Sequence, residues 1–420
     1  MNVLGITAEY NPFHNGHAYH LEKSKELASA DISVAVMSGN FTQRGEPAMA
    51  DKWIRSRDAV KCGVDVVFEL PFIFACNRAP VFAAGGVDAL IRAGATHISF
   101  GCESKEPAEL SEAARRLCHE EAKLNVYTTR YMMDGLSHAR AYDAAVEYVI
   151  GKDTAALLRK PNNILAVEYL KRMDHWREKG VDVVPLPVTR KGSGYHDVNA
   201  DGGYAGASAI REIFRAYMEG DEGSLELFKT LVPAEVAGWM CDQDTAKEAC
   251  GSPGQTDERY YQILKALLVR STPKELAQIY CVGEGIENKM VGEIIKANDL
   301  QTFMDWMVSK RYTAAAVRRL MVYILMGIDR REGDMLTDTL HTGMPYLRVL
   351  AASDAGRSHI KSLKEQDVPV ITNVNKQRPV EHLAGLLLDL DIKASDMYNV
   401  ISGRSLYDYS DKVVRPYIEP

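Results

Sequence analysis

The sequence predicts an α/β fold in which a parallel sheet comes first and a mainly helical part follows. Three observations support this prediction. Short apolar runs alternate with amphipathic stretches up to about residue 190, polar turn formers follow several of these runs, and helical patterns dominate from about residue 260. Such alternation places parallel strands side by side, with crossover helices on the faces of the sheet.

The first strand and helix flank the most distinctive stretch of the chain. Val3-Leu4-Gly5-Ile6 predicts a strand and Leu21 to Leu27 predicts a helix, and the turn between them contains His14 and His17. Two imidazoles three residues apart at a helix start share one face, beside backbone N–H groups and the positive end of the helix dipole. A phosphate is held readily there, which suggests nucleotide chemistry.

The next elements continue the alternation. The sequence predicts strands at 32–37, 64–71, 96–104 and 181–188, and helices at 52–62, 81–93, 107–123, 139–150 and 161–170. Ligands of open parallel sheets lie beyond the carboxyl ends of the strands. The turn at His14, the loop from Ser38 to Arg44 and Gly101 follow such ends, so we expect them to meet in one crevice.

The second half of the chain differs in composition. Asp, Glu, Gly and Pro cluster between about Gly220 and Thr256, and beyond them the sequence predicts helices at 260–270, 273–280, 286–297, 300–309 and 314–326. We therefore expect three parts, namely an α/β nucleotide-binding domain over 1–220, a helical domain over 221–345 and a small mixed segment over 346–420.

Composition and charge exclude several classes of protein. With 46% hydrophobic and 25% charged residues, the chain is of the ordinary globular type. It lacks an apolar run of membrane-spanning length and a basic leader, so we expect a cytoplasmic location and no membrane contact. Seven scattered cysteines without a C-x-x-C pair argue against disulfides and zinc. With a net charge of −7, nucleic-acid binding would require a local basic strip.

The stretch His14-Asn15-Gly16-His17 resembles the H-x-G-H signature of the nucleotidylyltransferase superfamily, whose catalytic domains are Rossmann-like domains of the HUP type. Its residue types suit the chemistry, because imidazole N–H groups can stabilise charge on the α-phosphate and on departing pyrophosphate. Gly16 would let the backbone approach ATP. The strand-turn-helix context favours this interpretation over a capped turn with two surface histidines.

Two further stretches are candidate anion sites. Ser208-Ala209-Ile210-Arg211 resembles the second motif of the same superfamily, in which a hydroxyl and an arginine at a helix start contact phosphate; a plain helix cap is the alternative. Arg190 and Lys191 precede a glycine-rich turn, which fits an anion site and a pair of solvated charges equally well.

A basic strip lies in the helical part. It consists of Lys310, Arg311 and Tyr312, followed by Arg318 and Arg319. Charge neutralisation and base stacking by such residues suit a single-stranded RNA loop, whereas a solvated helix face is the alternative.

A series of stretches, in order over almost the whole chain, resembles the tRNA(Met) cytidine acetate ligase family. These stretches are Glu9–His17, Ser38–Gly45, Phe100–Glu103, Pro161–Leu165, Gly194–Asp197 and Lys310–Thr313. The resemblance implies that ATP and acetate give acetyl-adenylate and pyrophosphate. The acetyl group then passes to the wobble cytidine of elongator tRNA(Met), giving N4-acetylcytidine. Mg²⁺ is expected to accompany ATP, without a dedicated protein site.

The resemblance also implies which residues form the sites. His14 and His17 would act in phosphate transfer. ATP would be bound by Thr7, Ala8, Glu9, Tyr10, Asn11, Pro12, Phe13, His14, Asn15, Gly16, His17, Ala18, Tyr19, His20, Gly101, one or both of Asn162 and Asn163, Arg190, Ser208 and Arg211. From loop placement alone, Ser38, Asn40 and Arg44 are candidates for acetate. The basic strip is the candidate tRNA contact.

Two alternative functions remain open at this point. The nucleotide motifs alone would also fit an adenylyltransferase for another small carboxylate or a phosphorylated substrate. The other alternative is a non-catalytic RNA-binding protein, which the retention of both histidines disfavours.

Overall fold

A mostly parallel sheet organises the fold. The computed structural model of the protein describes residues 1–104, 106–190 and 203–420. The sheet has eight strands within these ranges. They are β1 (Val3–Ala8), β2 (Ile32–Ser38), β3 (Val66–Leu70), β4 (His97–Cys102), β5 (Val184–Thr189), β6 (Leu347–Ala352), β7 (Val370–Ile371) and β8 (Tyr417–Ile418).

The strand order places β1 near the middle of the sheet. The order is β5-β4-β1-β2-β3-β6-β7, and β8 also pairs with β6. Strands β1 to β5 run parallel, with Gly5 paired with Val34 of β2 and with Ile98 of β4. The predicted parallel sheet is therefore confirmed. Because β1, β2, β4 and β5 are neighbours, their carboxyl ends open into one crevice.

Helices cover the sheet and build the second half of the chain. In the first half they are α1 (Asn15–Ala28), α2 (Lys52–Lys61), α3 (Phe72–Ala75), α4 (Ala79–Arg92), α5 (Pro107–His119), α6 (Glu121–Met133), α7 (His138–Val149), α8 (Lys152–Leu158) and α9 (Pro161–Glu178). Those that follow are α10 (Ala207–Met218), α11 (Glu222–Leu231), α12 (Ala234–Met240), α13 (Gln243–Cys250), α14 (Pro253–Arg270), α15 (Pro273–Leu276), α16 (Ile286–Ile294), α17 (Leu300–Met307), α18 (Ala314–Met326), α19 (Arg330–Asp338), a 3₁₀ turn (Thr339–His341), α20 (Asp354–Glu365) and α21 (His382–Ser402).

The central strands contribute to two hydrophobic cores, one on each face of the sheet. In β2, Val34 and Val36 pack into the core that includes α4, α9 and the helical part, whereas Ala35 and Met37 pack into the core that includes α1 and α10. Successive side chains of a strand point to opposite faces, so a fully apolar strand is buried on both sides. Because both faces of β1 and β2 are buried, the two strands are held in place, and the crevice lies beyond their carboxyl ends.

The stretch between Gly220 and Thr256, whose composition differs from that of its surroundings, is helical. Helices α11, α12 and α13 occupy it, and each buries an apolar stripe such as Phe228 and Leu231 of α11. The turn formers in this stretch mark helix starts: the side chains of Asp221 and Asp242 accept the N–H groups of Gly223 and Thr245. Aspartate is a favoured N-cap, so these residues separate short helices.

The strands from the last part of the chain extend the sheet of the first part. Strand β6 runs antiparallel to β3, and Glu69 lies opposite Arg348. These two residues form a buried ionic cluster with Lys52 and Asp411, in which Lys52 Nζ lies 2.7 Å from Glu69 and 2.8 Å from Asp411. Arg348 Nη1 lies 2.9 Å from both carboxylates. Burial opposes ionisation of Asp411, but the Arg348 and Lys52 cations outweigh it and hold its pKa below the usual value.

Among the helices of the described ranges, none combines the length and the apolar character that crossing a bilayer would require.

Candidate active site

Both predicted histidines lie at the N-terminus of α1. This helix begins at Asn15, so His14 is its N-cap residue and His17 lies in its first turn. Gly16 N–H donates to His14 Nδ1 at 3.1 Å, and His14 N–H donates to His17 Nδ1 at 3.4 Å. Because each Nδ1 accepts a hydrogen bond, the neutral rings carry their proton on Nε2. The structure gives neither Nε2–H a hydrogen-bond partner among the residues that it describes, so each ring offers one N–H donor to a ligand.

The two imidazole rings are stacked. Their centroids are 3.7 Å apart with an angle of 24° between the planes, and Tyr10 contacts His17 edge-on at 5.0 Å. A Cβ atom on Gly16 would lie only 2.9 Å from His14 Cε1. Glycine at this position therefore leaves room for the His14 ring.

Burial and neighbouring cations keep these histidines neutral. Burial, followed by the charges of Arg190 and Arg211, lowers the pKa of His14 to about 3. Burial, then His14, Arg190 and His20, lower the pKa of His17 well below its usual value. Burial and Arg190 lower the pKa of His20 to about 4. The first turn of α1 thus presents neutral N–H donors in a field of positive charge, which suits a polyanion.

The turn that precedes the histidines is buried and fixed from both sides. Tyr10 has a positive φ of 45°, and the peptide bond from Asn11 to Pro12 is cis. The Asn11 side-chain oxygen accepts the N–H of Met49 at 2.8 Å, and its main-chain carbonyl accepts Arg211 Nη1 at 2.9 Å. The end of β1 and the turn up to α1 are therefore tied to two other parts of the crevice.

The second motif lies beside the first, as the family resemblance implied. Ser208 is in the first turn of α10, and Arg211 Nη2 donates to Ser208 Oγ at 3.3 Å. Through its bond to Asn11, the Arg211 guanidinium reaches the turn before α1. The side chain of Asn15 also holds this region, since its Nδ2 donates to the carbonyls of Gly203 and Thr230 at 3.1 and 2.8 Å.

The two candidate asparagines at the start of α9 differ in their surroundings. Asn163 is fully buried, and its side chain accepts the Glu103 N–H at 2.8 Å and donates to the Leu157 carbonyl at 3.1 Å. Asn162 is only partly buried; it donates to Glu103 Oε1 and accepts Arg190 Nη1 at 2.8 Å. Asn163 therefore holds the backbone, whereas Asn162 orients a cation beside the crevice.

Gly101 lies next to this group. A Cβ atom on Gly101 would lie 3.4 Å from Arg190 Cγ, so the arginine stem packs against the end of β4. Glu103, which the sequence analysis did not select, anchors Asn162 through its carboxylate and Asn163 through its main-chain N–H.

His20 belongs to a polar chain beneath the histidine turn. Its Nε2 lies 3.0 Å from Ser99 Oγ, and Ser99 Oγ in turn donates to the Leu186 carbonyl at 2.9 Å. Ser24 Oγ lies 2.7 Å from Ser99 Oγ. This chain links α1 to β4 and β5 and fixes the orientation of the His20 ring.

The three acetate candidates have different environments. Asn40 is buried, and its side-chain oxygen accepts the Lys52 N–H at 2.7 Å, so it fastens the loop to the start of α2. Ser38 is also buried, and its hydroxyl has no hydrogen-bond partner among the described residues. Arg44 lies at the tip of the same loop and has contacts of its own.

Arg55 is a second residue that sequence reasoning missed. It is 2% exposed, and its guanidinium donates to the main-chain carbonyls of Glu9, Ser38 and Gly39. One arginine of α2 thus ties together the carboxyl ends of β1 and β2. A single arginine in an amphipathic helix carries no local signal for such a role, because its partners are backbone groups.

The basic strip divides into two groups. Lys310 and Arg311 are exposed on the turn before α18; Arg311 pairs with Glu284 at 2.9 Å, and Tyr312 OH donates to the Glu284 carbonyl at 3.1 Å. Arg318 and Arg319 lie on α18 and contact the loop that follows β2, where Arg319 Nη1 donates to the Gln43 carbonyl at 3.2 Å. These two arginines therefore lie next to the crevice.

Some predicted features lie outside the described residues, namely Lys191 and the stretch Gly194–Asp197. Within the ranges that the structure covers, no group of three or more His, Cys, Asp or Glu side chains is arranged to hold a metal ion.

The fold and the site define the class of the protein. The family model of the HIGH nucleotidyl transferases matches residues 1–411. At a finer level, the chain is 35% identical to the tRNA(Met) cytidine acetate ligase of Caldicellulosiruptor saccharolyticus over 399 residues, which covers 95% of this chain and 94% of the relative. It is 33% identical to the enzyme of the same name from Bacillus subtilis, covering 95% and 92% of the two chains. The chain belongs to the tRNA(Met) cytidine acetate ligase family.

A solved structure agrees with this assignment. The crystal structure of Thermotoga maritima TmcAL bound with alpha-thio ATP matches with a TM-score of 0.86 at 27% identity, and covers 100% of this chain and 99% of the other. The similarity thus includes the sheet, the helical part and the C-terminal strands together.

Proposed function

We propose that the protein is an ATP-dependent ligase that acetylates the wobble cytidine of elongator tRNA(Met) in two steps. In the first step an acetate oxygen bonds to the α-phosphorus of ATP, and the bond to the bridging oxygen of pyrophosphate breaks. In the second step the exocyclic amine of cytidine attacks the acetyl carbon, AMP leaves with the bonding electrons, and the amine loses a proton. The product is N4-acetylcytidine.

The observation that carries this proposal is the pair of stacked, neutral histidines at the start of α1. Each keeps an Nε2–H donor, and helix N–H groups lie beside them. Charge that develops on the α-phosphate and on the departing pyrophosphate would be stabilised by these donors and by Arg211. Because the pKa values of both histidines are low, the rings are neutral before ATP binds. The protein therefore avoids the free-energy cost of burying two positive charges side by side.

ATP would occupy the crevice formed by Thr7 to His20, Gly101, Asn162, Arg190, Ser208 and Arg211. Asn162 is the better candidate of the two asparagines, because both polar ends of the Asn163 side chain are already engaged by backbone groups.

Acetate selection is assigned to the end of β2. Of the three candidates, Ser38 supports this best, since its buried hydroxyl has no partner among the residues that the structure covers. A buried hydroxyl without a partner is costly, and a bound carboxylate would satisfy it. Mg²⁺ would arrive with ATP and be coordinated mainly by the phosphates, because the metal keeps most of its ligands from substrate and water.

The RNA-binding role is assigned to the helical domain 221–345, with Lys310, Arg311, Tyr312, Arg318 and Arg319 as contacts. Arg318 and Arg319 support this best, since they lie beside the loop that borders the crevice. A phosphate held there would bring an anticodon base near the acyl-adenylate. The domain 1–220 would carry the adenylation site and the segment 346–420 would complete its sheet. A tRNA substrate also places the reaction in the cytoplasm.

The test is incubation of the protein with ATP and labelled acetate, with and without tRNA(Met). We expect acetyl-adenylate without tRNA, and label in the wobble cytidine with it; a tRNA with uridine at this position is the matched control. Adenylation of another carboxylate, with no label from acetate reaching RNA, would favour the general adenylyltransferase. Binding of tRNA without any adenylate would favour the non-catalytic alternative.

The variant His17→Ala tests the histidine role. We expect loss of adenylation with tRNA binding retained, because the ring donates to the phosphates and not to RNA. His119→Ala is the control, since this side chain is 85% exposed on α5. Unchanged adenylation by His17→Ala would remove the histidine from its proposed role.

A further inference from the structure

The loop between β2 and α2, residues 39–51, is held on the side of the nucleotide crevice. Gln43 N–H donates to Glu9 Oε1 at 2.7 Å, so the loop is fastened to the end of β1. The Met49 N–H bond to Asn11 fastens it to the turn before α1. Movement of this loop would therefore disturb the ATP-binding stretch.

The same loop is held on the side of the helical part. Gly45 has a φ of +79°, and a Cβ atom there would lie 2.4 Å from the backbone nitrogen of Arg319. Arg319 Nη1 also donates to the Gln43 carbonyl at 3.2 Å. The loop is thus in direct backbone contact with α18 and connects the two parts of the proposed enzyme.

At the tip of this loop, the Glu46 carboxylate lies between two arginines. Its Oε1 is 2.8 Å from Arg318 Nη1, whereas its Oε2 is 3.7 Å from Arg211 Nη2. The first distance is a contact ion pair, and the second is too long for a hydrogen bond. All three side chains are partly exposed, at 28%, 36% and 27% for Glu46, Arg318 and Arg211. One carboxylate is thus shared by an arginine proposed to bind nucleotide and one proposed to bind RNA.

We propose that Glu46 is a positioning residue that couples triphosphate binding at Arg211 to tRNA binding at Arg318, and so sets the order of the two steps. This proposal rests on the proposed function. When ATP is bound, its phosphates attract Arg211, and Glu46 pairs fully with Arg318, which is then less available to an RNA phosphate. When pyrophosphate leaves, the remaining acyl-adenylate carries much less charge. The Arg211 charge again lies near Glu46, as at 3.7 Å in the structure, and weakens the pairing of Glu46 with Arg318, so Arg318 becomes more available to tRNA.

The expected result is antagonism between ATP and tRNA that depends on the carboxylate. Coupling between two sites is reciprocal, so each ligand weakens the other by the same factor. Partly exposed ion pairs support a factor of about twofold to fivefold. Loss of pyrophosphate removes the antagonism, so tRNA binds most tightly after adenylation.

The test measures the affinity of the full-length protein for a tRNA(Met) transcript, with and without saturating α,β-methylene-ATP. For the native protein we expect the analogue to weaken tRNA binding by this factor. In Glu46→Gln, which keeps the shape but removes the charge, the two ligands should bind independently. Glu226→Gln is the control; Glu226 pairs with Lys229 on α11 and is 77% exposed, so its loss should leave the coupling unchanged.

Equal coupling in the native protein and in Glu46→Gln would overturn the proposal, as would an absence of coupling in the native protein. A merely structural role for Glu46 would weaken both affinities without changing the ratio between them. Failure of the proposed function is distinguishable, because it would appear as a lack of acetyl transfer by the native protein, whereas the coupling is measured by binding alone.

Discussion

His14 serves the helix and the ligand site at once. Its Nδ1 caps α1, and its other nitrogen is available to a ligand. Ordinary mutation to alanine would remove both functions together. Asparagine separates them, because its side-chain oxygen is a good N-cap acceptor but lacks the imidazole donor.

We predict that His14→Asn loses adenylation while its free energy of unfolding near neutral pH stays close to that of the native protein. His14→Ala should lose adenylation and also about 1 kcal/mol of stability, because the cap is lost. Urea unfolding and adenylate formation are the two measurements. Adenylation by His14→Asn at the native rate would show that the imidazole acts only as a cap.

The low pKa of His14 also predicts an acid-sensitive fold. The ring's pKa is about 3 in the folded protein and near 6.5 in the unfolded chain, so the unfolded chain binds more protons between these values. Stability contributed by the neutral ring is therefore present above about pH 6.5 and is lost as the pH falls. From about pH 7 to about pH 5, His14 alone should cost about 2 kcal/mol.

This effect is checked by urea unfolding of the native protein and of His14→Asn at both pH values. The variant lacks the titrating ring, so its loss of stability over this range should be smaller by about 2 kcal/mol. An equal loss in the two proteins would mean that His14 is not buried in its neutral form.

Alanine substitutions of the two neighbouring asparagines of α9 should affect different properties, stability for Asn163 and ATP binding for Asn162. Asn163→Ala leaves the Glu103 N–H and the Leu157 carbonyl without partners in a buried site, and should cost about 1–3 kcal/mol of stability. Asn162→Ala releases Arg190 at a partly exposed site, and should raise the KM for ATP with little change in stability. Thermal unfolding and adenylation kinetics distinguish the two; a KM effect confined to Asn163→Ala would reverse the assignment.

The residues that sequence alone revealed are those with a local pattern. His14 and His17 were found from their spacing, and the structure brings Ser208 and Arg211 to the same turn. Arg55 and Glu46 were not found. Their partners are main-chain carbonyls and arginines far along the chain, and such contacts exist only after the loops have been placed by the sheet.

Among the helices and strands, the strongly patterned ones were predictable. Helix α18 has the bounds predicted from the sequence, and the start of α9 coincides with Pro161. The short helices α11 to α13 were not predicted. Turn-forming residues cap these helices and are frequent in the stretch, so they conceal its helical pattern. The sequences of these helices have only a weak tendency to form helix, and the packing of α11 against α10 and of α12 against α2 stabilises them.

The contact between the β2–α2 loop and α18 should be sensitive to one methyl group. Gly45→Ala places a Cβ atom against the backbone of Arg319, where no side chain can move aside, and it requires alanine at a φ of +79°. We expect a loss of about 1–3 kcal/mol of stability.

The matched control is Gly292→Ala in α16. No atom lies within 4 Å of the added Cβ, and the glycine is inside a helix. This substitution should stabilise the protein by about 0.5–1 kcal/mol. Both are measured by urea unfolding, and a neutral result for Gly45→Ala would mean that the loop and α18 are not in close contact.

For the molecule as a whole, local patterns could not show that the last strands join the first sheet. The sequence pattern separates 346–420 from 1–220, whereas in the structure β6 pairs with β3. This pairing connects residues nearly three hundred positions apart, such as Glu69 and Arg348. No local period records such a partner. Lysine and aspartate usually lie on protein surfaces, so the sequence does not indicate that Lys52 and Asp411 are buried. Their burial is explained by the ion pair between them.

The ionic cluster predicts a large effect of a single tail residue. Asp411→Asn leaves Lys52 and Arg348 buried with too few negative charges, and should cost about 3–5 kcal/mol of stability. Asp408→Asn, three residues earlier and exposed, should change stability by less than about 0.5 kcal/mol. Urea unfolding of both variants is the measurement, and similar small effects would show that Asp411 is not an essential member of the cluster.

The position of β6 has a consequence for synthesis of the chain on the ribosome. Strand β3 emerges early, but one of its two edges is covered only after residues 347–352 have been translated. During that interval the edge of β3 is open to pairing with another nascent chain, and the cation of Lys52 lacks its Asp411 partner. The sheet is thus completed late, so a truncated translation product would carry the histidine motif without a finished sheet to hold it.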